Sequence, residues 1–177
     1  MFVKNCLKIE NKFKFVPTTF VYTNMKIEDI IKISSSISLP TKTVINLAYT
    51  ARIVEETLLG DLKPYDLSMQ QFNVLRILRG QKGNPANLST IQERMVDRNS
   101  NVTRLIDKLI KKELVKRQVC KANRRKIEMF ITQTGLEILK ELDPINETSN
   151  KEIFKNFNTE EIETLNTLLD KLRNNES

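Results

Sequence analysis

Asn101, Arg104, Lys108 and Lys111 follow one another at spacings of three and four within the stretch 99–112. The same stretch carries Val102, Leu105, Ile106, Leu109 and Ile110 at helical spacing on its other side. Read as a helix, it turns the apolar set to a core and the polar set outward. An amide can pair with an adenine edge and a guanidinium with a guanine edge in a major groove, each worth about 1–3 kcal/mol in discrimination. Ser100 and Thr103, with the free amides of a helix start, suit phosphate oxygens; Thr103 can equally bond back to its own helix. Lys111 and Lys112 suit solvent or phosphate better than bases. Downstream lie a strand-like 114–120, a turn at 121–125 and a second strand-like 126–131. Arg124 at such a hairpin tip suits a narrow, electronegative minor groove. Arg125 either joins it there or turns back to an acid on the body.

Other chemistries find little support. There is no histidine, and the two cysteines, Cys6 and Cys120, form no Cys-x-x-Cys, so neither a metal site nor a disulfide framework is expected. A reducing cytoplasm is the expected location, with Cys120 a buried, inert thiol on the hairpin. Four scattered glycines build no phosphate-cradling loop, and no nucleophile–base pair is legible. Glu55 and Glu56 are adjacent and do not share a helical face. Neither an enzyme nor a cofactor is expected. No apolar run approaches the roughly 20 residues of a membrane span.

The charge is concentrated where this chemistry lies. Residues 98–126 carry eleven Lys or Arg against two acids, whereas residues 127–177 carry five against eleven. A basic cluster of this kind suggests contact with nucleic acid; a solvated basic face is the alternative.

The surrounding pattern is mainly α with a small β-hairpin wing. Residues 41–59 form a first helix with Val44, Leu47, Ala48, Ala51, Val54 and Leu58 on one stripe, closed by Gly60. Ser68 and Gln71 make a capping box for a helix over 69–79 with Phe72, Leu75 and Leu78 inward. Ser89 and Gln92 repeat that signature for a short helix over about 90–96. Helix, helix, hairpin is the order of a winged helix-turn-helix. Thr132 can cap a long helix to about Phe157 that Pro144 should bend or divide. Asn158 and Glu161 cap a last helix with Ile162, Leu165, Leu168, Leu169 and Leu172 on one side. The flanking apolar stripes exceed what one small module can cover, so the winged helix-turn-helix core is expected to be flanked by dimerisation helices.

Residues 1–24 mix Lys with scattered Phe and show no helical period. They are expected to be a non-native or disordered leader, with Met25 the natural start; a strand-forming or groove-reaching basic arm is the alternative. The expected domain runs over 25–177, with a core at about 62–132 and dimerisation helices at about 41–59 and 133–173. An effector pocket would lie between core and dimer helices, near helices 41–59 and 69–79 and the helix that Thr132 opens.

Leu67-Ser68-x-x-Gln71-Phe72-x-Val74-Leu75, Asn101 to Leu109, Leu114-Val115-x-Arg117, Asn123-Arg124-Arg125-Lys126 and Ile131-Thr132-x-x-Gly135 occur in that order. This ordered set resembles the multiple-antibiotic-resistance regulator (MarR) family over about residues 40–172. The resemblance implies a homodimer that binds a palindromic double-stranded DNA operator, usually as a repressor. Release by a small aromatic or lipophilic effector, or by an oxidant, is also implied. Carried over by position, recognition-helix contacts fall on Ser100, Asn101, Thr103, Arg104 and Lys108, and wing contacts on Asn123, Arg124 and Arg125. Two departures stand out. Glu113 replaces the glycine usual at the end of the recognition helix, so it must either adopt a left-handed conformation or end the helix differently. Asn123 replaces an aspartate. No cysteine matches the oxidant-sensing position. The competing reading is a winged-helix module for protein contacts, without sequence-specific DNA binding.

Overall fold

The computed structural model describes residues 25–33, 35–120, 123–124 and 126–174. The expectation of a leader over 1–24, with Cys6 in it, and the role given to Arg125 lie outside the described residues. The described residues fall into two units, one ending at Ala48 and the other beginning at Tyr49.

In the first unit, a single turn of helix, α1 (Ile27–Ile30), precedes the first half of α2 (Leu39–Leu62). Glu28 pairs with Lys42 there. The Lys42 ammonium holds the Glu28 carboxyl below its ordinary range.

The second unit continues through the rest of α2 and a 3-10 turn (Lys63–Tyr65) into α3 (Met69–Arg79) and α4 (Leu88–Arg94). α5 (Val102–Lys111), β1 (Val115–Val119), β2 (Ile127–Ile131), α6 (Gln133–Ile153) and α7 (Thr159–Arg173) follow. This is the mainly helical fold with a two-stranded wing expected from the pattern. The strands are antiparallel, with Val115 opposite Ile131 and Val119 opposite Ile127. An isolated bridge joins Ala86 to Met129 through N–H···O bonds of 3.0 and 2.8 Å in both directions, so the wing sheet has a one-residue third member.

The Ser68 and Gln71 box forms as read, with each side chain accepting from the other's backbone N–H at 3.2 and 3.0 Å. The box at Asn158 and Glu161 forms likewise. Four boundaries differ from expectation. Gly60 does not end α2, which runs to Leu62. A glycine costs a helix interior about 1 kcal/mol, and full burial of Leu62 outweighs that. α4 starts two residues early because Asn87, not Ser89, is its N-cap; Asn87 Oδ1 accepts from Thr90 N–H at 2.8 Å. α6 is continuous through Pro144 and stops at Ile153, with Phe154 its C-cap. α5 starts at Val102 because Asp97 holds 97–100 in a turn, accepting from Asn99 N–H at 3.1 Å and Ser100 Oγ–H at 2.9 Å.

The core gathers Phe72, Leu75 and Leu78 of α3, Ile91 of α4, Ile106 and Leu109 of α5, Val115 and Met129 of the wing, and Leu139 and Leu142 of α6. Its tightest joint lies where α5, β1 and α6 meet. Glu113 takes the left-handed φ of 59°, at a cost of about 1 kcal/mol for a side chain. Glu113 N–H then bonds Ile110 O at 2.9 Å and Leu114 N–H bonds Leu109 O at 3.0 Å, the paired bonds of a Schellman ending. Thr132 Oγ donates to the Glu113 carbonyl at 2.7 Å and accepts from Gly135 N–H at 3.1 Å. A Cβ on Gly135 would sit 2.5 Å from Leu114 O, which only displaced backbone can relieve.

At the end of α2, Asp61 is buried, and its Oδ2 has no hydrogen-bond partner among the described residues. Burial pushes its carboxyl above the ordinary value, opposed by a hydrogen bond with Ser149 of α6.

Two outcomes follow. Gly135→Ala should lower unfolding stability in urea by about 1–3 kcal/mol, while a change below about 0.5 kcal/mol would show that the joint yields. Because the Asp61 carboxyl is raised on folding, stability is full below its unfolded pKa and falls as pH rises through the folded one. Asp61→Asn should flatten that fall in denaturation series from about pH 4 to about pH 8; an unchanged pH profile would assign the dependence elsewhere.

Candidate nucleic-acid interface

α5 presents two unlike faces. Val102, Ile106 and Leu109 are buried, with Leu105 and Ile110 packed against the same core. Thr103, Arg104, Asp107, Lys108 and Lys111 are exposed on the other side. The spacing in the sequence thus produces the outward polar face it implied.

The side chains at the helix start are committed to structure. Asn101 is the N-cap, its Oδ1 accepting from Arg104 N–H at 3.0 Å. Ser100 donates its hydroxyl to Asp97. That bond, with the Asn99 amide, holds the Asp97 carboxyl below its ordinary range. Gln92 Nε2 reaches the Arg98 carbonyl at 2.6 Å, and Asn73 Oδ1 accepts from Val96 N–H at 3.0 Å. The turn before α5 is therefore fixed from both preceding helices. Ser89, Gln92, Ser100, Asn101 and Thr103, with Leu88 and Val102, line one cleft beside it.

Two ion pairs reach α5 from other elements. Arg117 of β1 lies 3.4 Å from Asp107, joining helix to wing across exposed side chains. Lys112, the C-cap, lies 2.7 Å from Asp66 Oδ2 and also donates to the Asp66 carbonyl. The Lys112 ammonium holds the Asp66 carboxyl below its ordinary range, with a smaller contribution from Lys108. Residues 66 and 112 are far apart in sequence and carry no shared period, so this pair was not legible there.

At the wing tip, Asn123 N–H donates to Cys120 O at 3.2 Å and its carbonyl accepts from Lys126 N–H at 2.9 Å. Arg124 is exposed in the turn. Cys120, just past the end of β1, is half-buried rather than buried. The structure brings Arg104 and Lys108 together on one exposed helix face. Arg124 stands on the separate exposed tip of the hairpin.

A groove of about 630 Å³ opens beside the far end of α5, with Leu59, Lys63, Leu67, Gln71, Lys108 and Lys112 among its walls. They come from α2, the 3-10 turn, α3 and α5. α6 supplies none of these walls.

If Asn101 acts first as a cap, Asn101→Ala should cost about 1 kcal/mol of stability and Asn101→Asp should retain it. Equal stability of the alanine variant in chemical denaturation would remove the cap from this account.

Residues 67–127 match the MarR family model. Among solved structures, a MarR transcription factor from Planctomyces limnophilus is 28% identical, with a TM-score of 0.57 over 77% of this chain and 98% of that one. Bordetella bronchiseptica BpsR, a protein whose DNA binding is regulated by 6-hydroxynicotinic acid, is 20% identical, with a TM-score of 0.69 over 80% and 100%. A mutant MarR from E. coli solved in complex with operator DNA is 24% identical, with a TM-score of 0.65 over 76% and 94%. The last two likenesses speak for the fold. The family match covers α3, α4, α5 and β1 of the winged helix-turn-helix just described, and over residues 67–127 the chain is similar to the MarR family of transcription regulators.

Proposed function

We propose that this chain is a cytoplasmic, ligand-responsive repressor that binds a palindromic duplex operator as a homodimer. The observation that carries the reading is the outward face of α5, bearing Arg104 and Lys108, beside a wing tipped by Arg124. Eleven cations against two acids over 98–126 give this region the charge that phosphate binding requires. In this reading α5 enters the major groove, where Arg104 meets base edges. Thr103 and Lys108 meet backbone or base edges nearby. Ser100 and Asn101 contribute through the turn and cap they build and through what remains of their hydrogen-bonding capacity. Arg124 enters the minor groove, with Asn123 shaping the tip.

Dimerisation is supported by apolar surface without cover. α7 has no buried residue, and its Leu168 and Leu172 are each more than half exposed. α2 leaves Val44 and Leu47 exposed. A second copy would cover such stripes, and the domain 25–177 would then work as one unit with its core at about 62–132. The groove that Lys63 and Lys108 share with Leu59 offers an aromatic or lipophilic effector of the acidic kind a seat against the recognition helix. The 6-hydroxynicotinic acid that regulates BpsR is a small aromatic acid of that kind.

The test uses a duplex enriched by the wild-type protein from a randomised library. Fluorescence anisotropy over a salt series should give a steep loss of affinity with salt. Arg124→Ala should weaken binding and reduce the slope by about one unit. A variant slope equal to the wild type's would take the wing out of the interface.

A further inference from the structure

The Asp66–Lys112 pair joins two segments whose relation decides where α5 points. Lys112 caps α5 at its C-terminal end, one turn beyond Lys108 and two beyond Arg104. Its side chain is only 28% exposed, although the residue lies at the edge of a strongly basic surface. It makes two contacts with one residue, the Asp66 carboxylate and the Asp66 carbonyl. Asp66 sits in a left-handed conformation, φ 52°, between the 3-10 turn and the capping box that opens α3. The backbone around it is also tied, Leu67 N–H bonding the Leu62 carbonyl at 3.3 Å. The Asp66 side chain itself is 95% exposed, so Lys112 is anchored to a residue held through its backbone, a few residues after the fully buried Leu62.

We propose that Asp66 and Lys112 form a positioning latch that sets the pose of the recognition helix, so that Lys112 serves DNA binding without touching DNA. The inference rests on the DNA-binding reading above. The three constraints on α5 then divide by location. The Asp97 turn and Asn101 cap fix its start, Asp107 and Arg117 tie its middle to the wing, and Lys112 fixes its end.

The charges make this distinguishable from the simpler alternative. If Lys112 were a phosphate contact and Asp66 a nearby acid, removing the acid would tighten DNA binding by relieving repulsion. In a latch, removing the acid weakens it. Asparagine tolerates the left-handed conformation at position 66, and methionine keeps most of the lysine stem at 112, so both variants are expected to fold. Thermal melting checks that both are fully folded at the assay temperature. With the same library-enriched duplex, Asp66→Asn and Lys112→Met should each weaken binding about threefold to fivefold, the fold-change that an exposed ion pair supports. The double variant should be no weaker than the weaker single, the salt slope should stay at the wild-type value, and Lys112→Arg should restore affinity. Equal or tighter binding by Asp66→Asn would overturn the latch. So would a slope reduced by about one unit in Lys112→Met, which marks a lost phosphate contact. If the wild-type protein enriches no duplex at all, the DNA-binding reading fails, and the latch's role falls with it.

Discussion

Burial of Val102, Ile106 and Leu109 is the constraint on which the rest of this structure depends. A helix has one azimuth once its apolar stripe is sunk in a core. With those three residues inside, Thr103, Arg104 and Lys108 have no course but outward. The surface chemistry of the chain is thus a consequence of its packing. The opposite faces of a ten-residue helix carry the two halves of the argument.

What packing alone does not settle is the tilt of that helix, and here the local chemistry of its ends takes over. The start is held by a turn in which Asp97 competes with helical geometry and wins three residues from it. The far end accepts a left-handed glutamate at Glu113, where glycine would sit without strain. The Thr132 hydroxyl satisfies the carbonyl that this arrangement presents, and Gly135 leaves room for the Leu114 backbone. Strain at one residue is thereby held in place by two neighbours in the next helix. The link from this joint to function is direct, since β1 and the wing leave from it.

Much of the fold was legible in the sequence, for physical reasons that also explain the gaps. The Ser68–Gln71 and Asn158–Glu161 boxes are local, so spacing alone reveals them. The amphipathic stripe of α5 is periodic and equally plain. Where two local solutions competed, the sequence did not say which would win. Asn87 displaced Ser89 as a cap, and the burial of Leu62 carried α2 past Gly60. The Ala86–Met129 bridge has no period to detect, being one residue long in a segment with Gly83 and Pro85. At the candidate interface, the exposed positions of Arg104 and Lys108 were legible as polar residues opposite apolar ones, and that of Arg124 as the turn between two strand-like runs. The structural duties of Ser100 and Asn101 were not, because a good capping residue and a good base-reading residue are the same residue type. Long-range ion pairs such as Asp66–Lys112 leave no trace in spacing at all.

The proposed operator binding brings two copies of one helix to one duplex. Hydroxyl-radical footprinting of the library-enriched duplex tests this most directly. Two protected patches on the same face, their centres about one helical turn apart, are the result expected of a two-fold pair of α5 helices. A single patch, or protection spread evenly along the duplex, would contradict it.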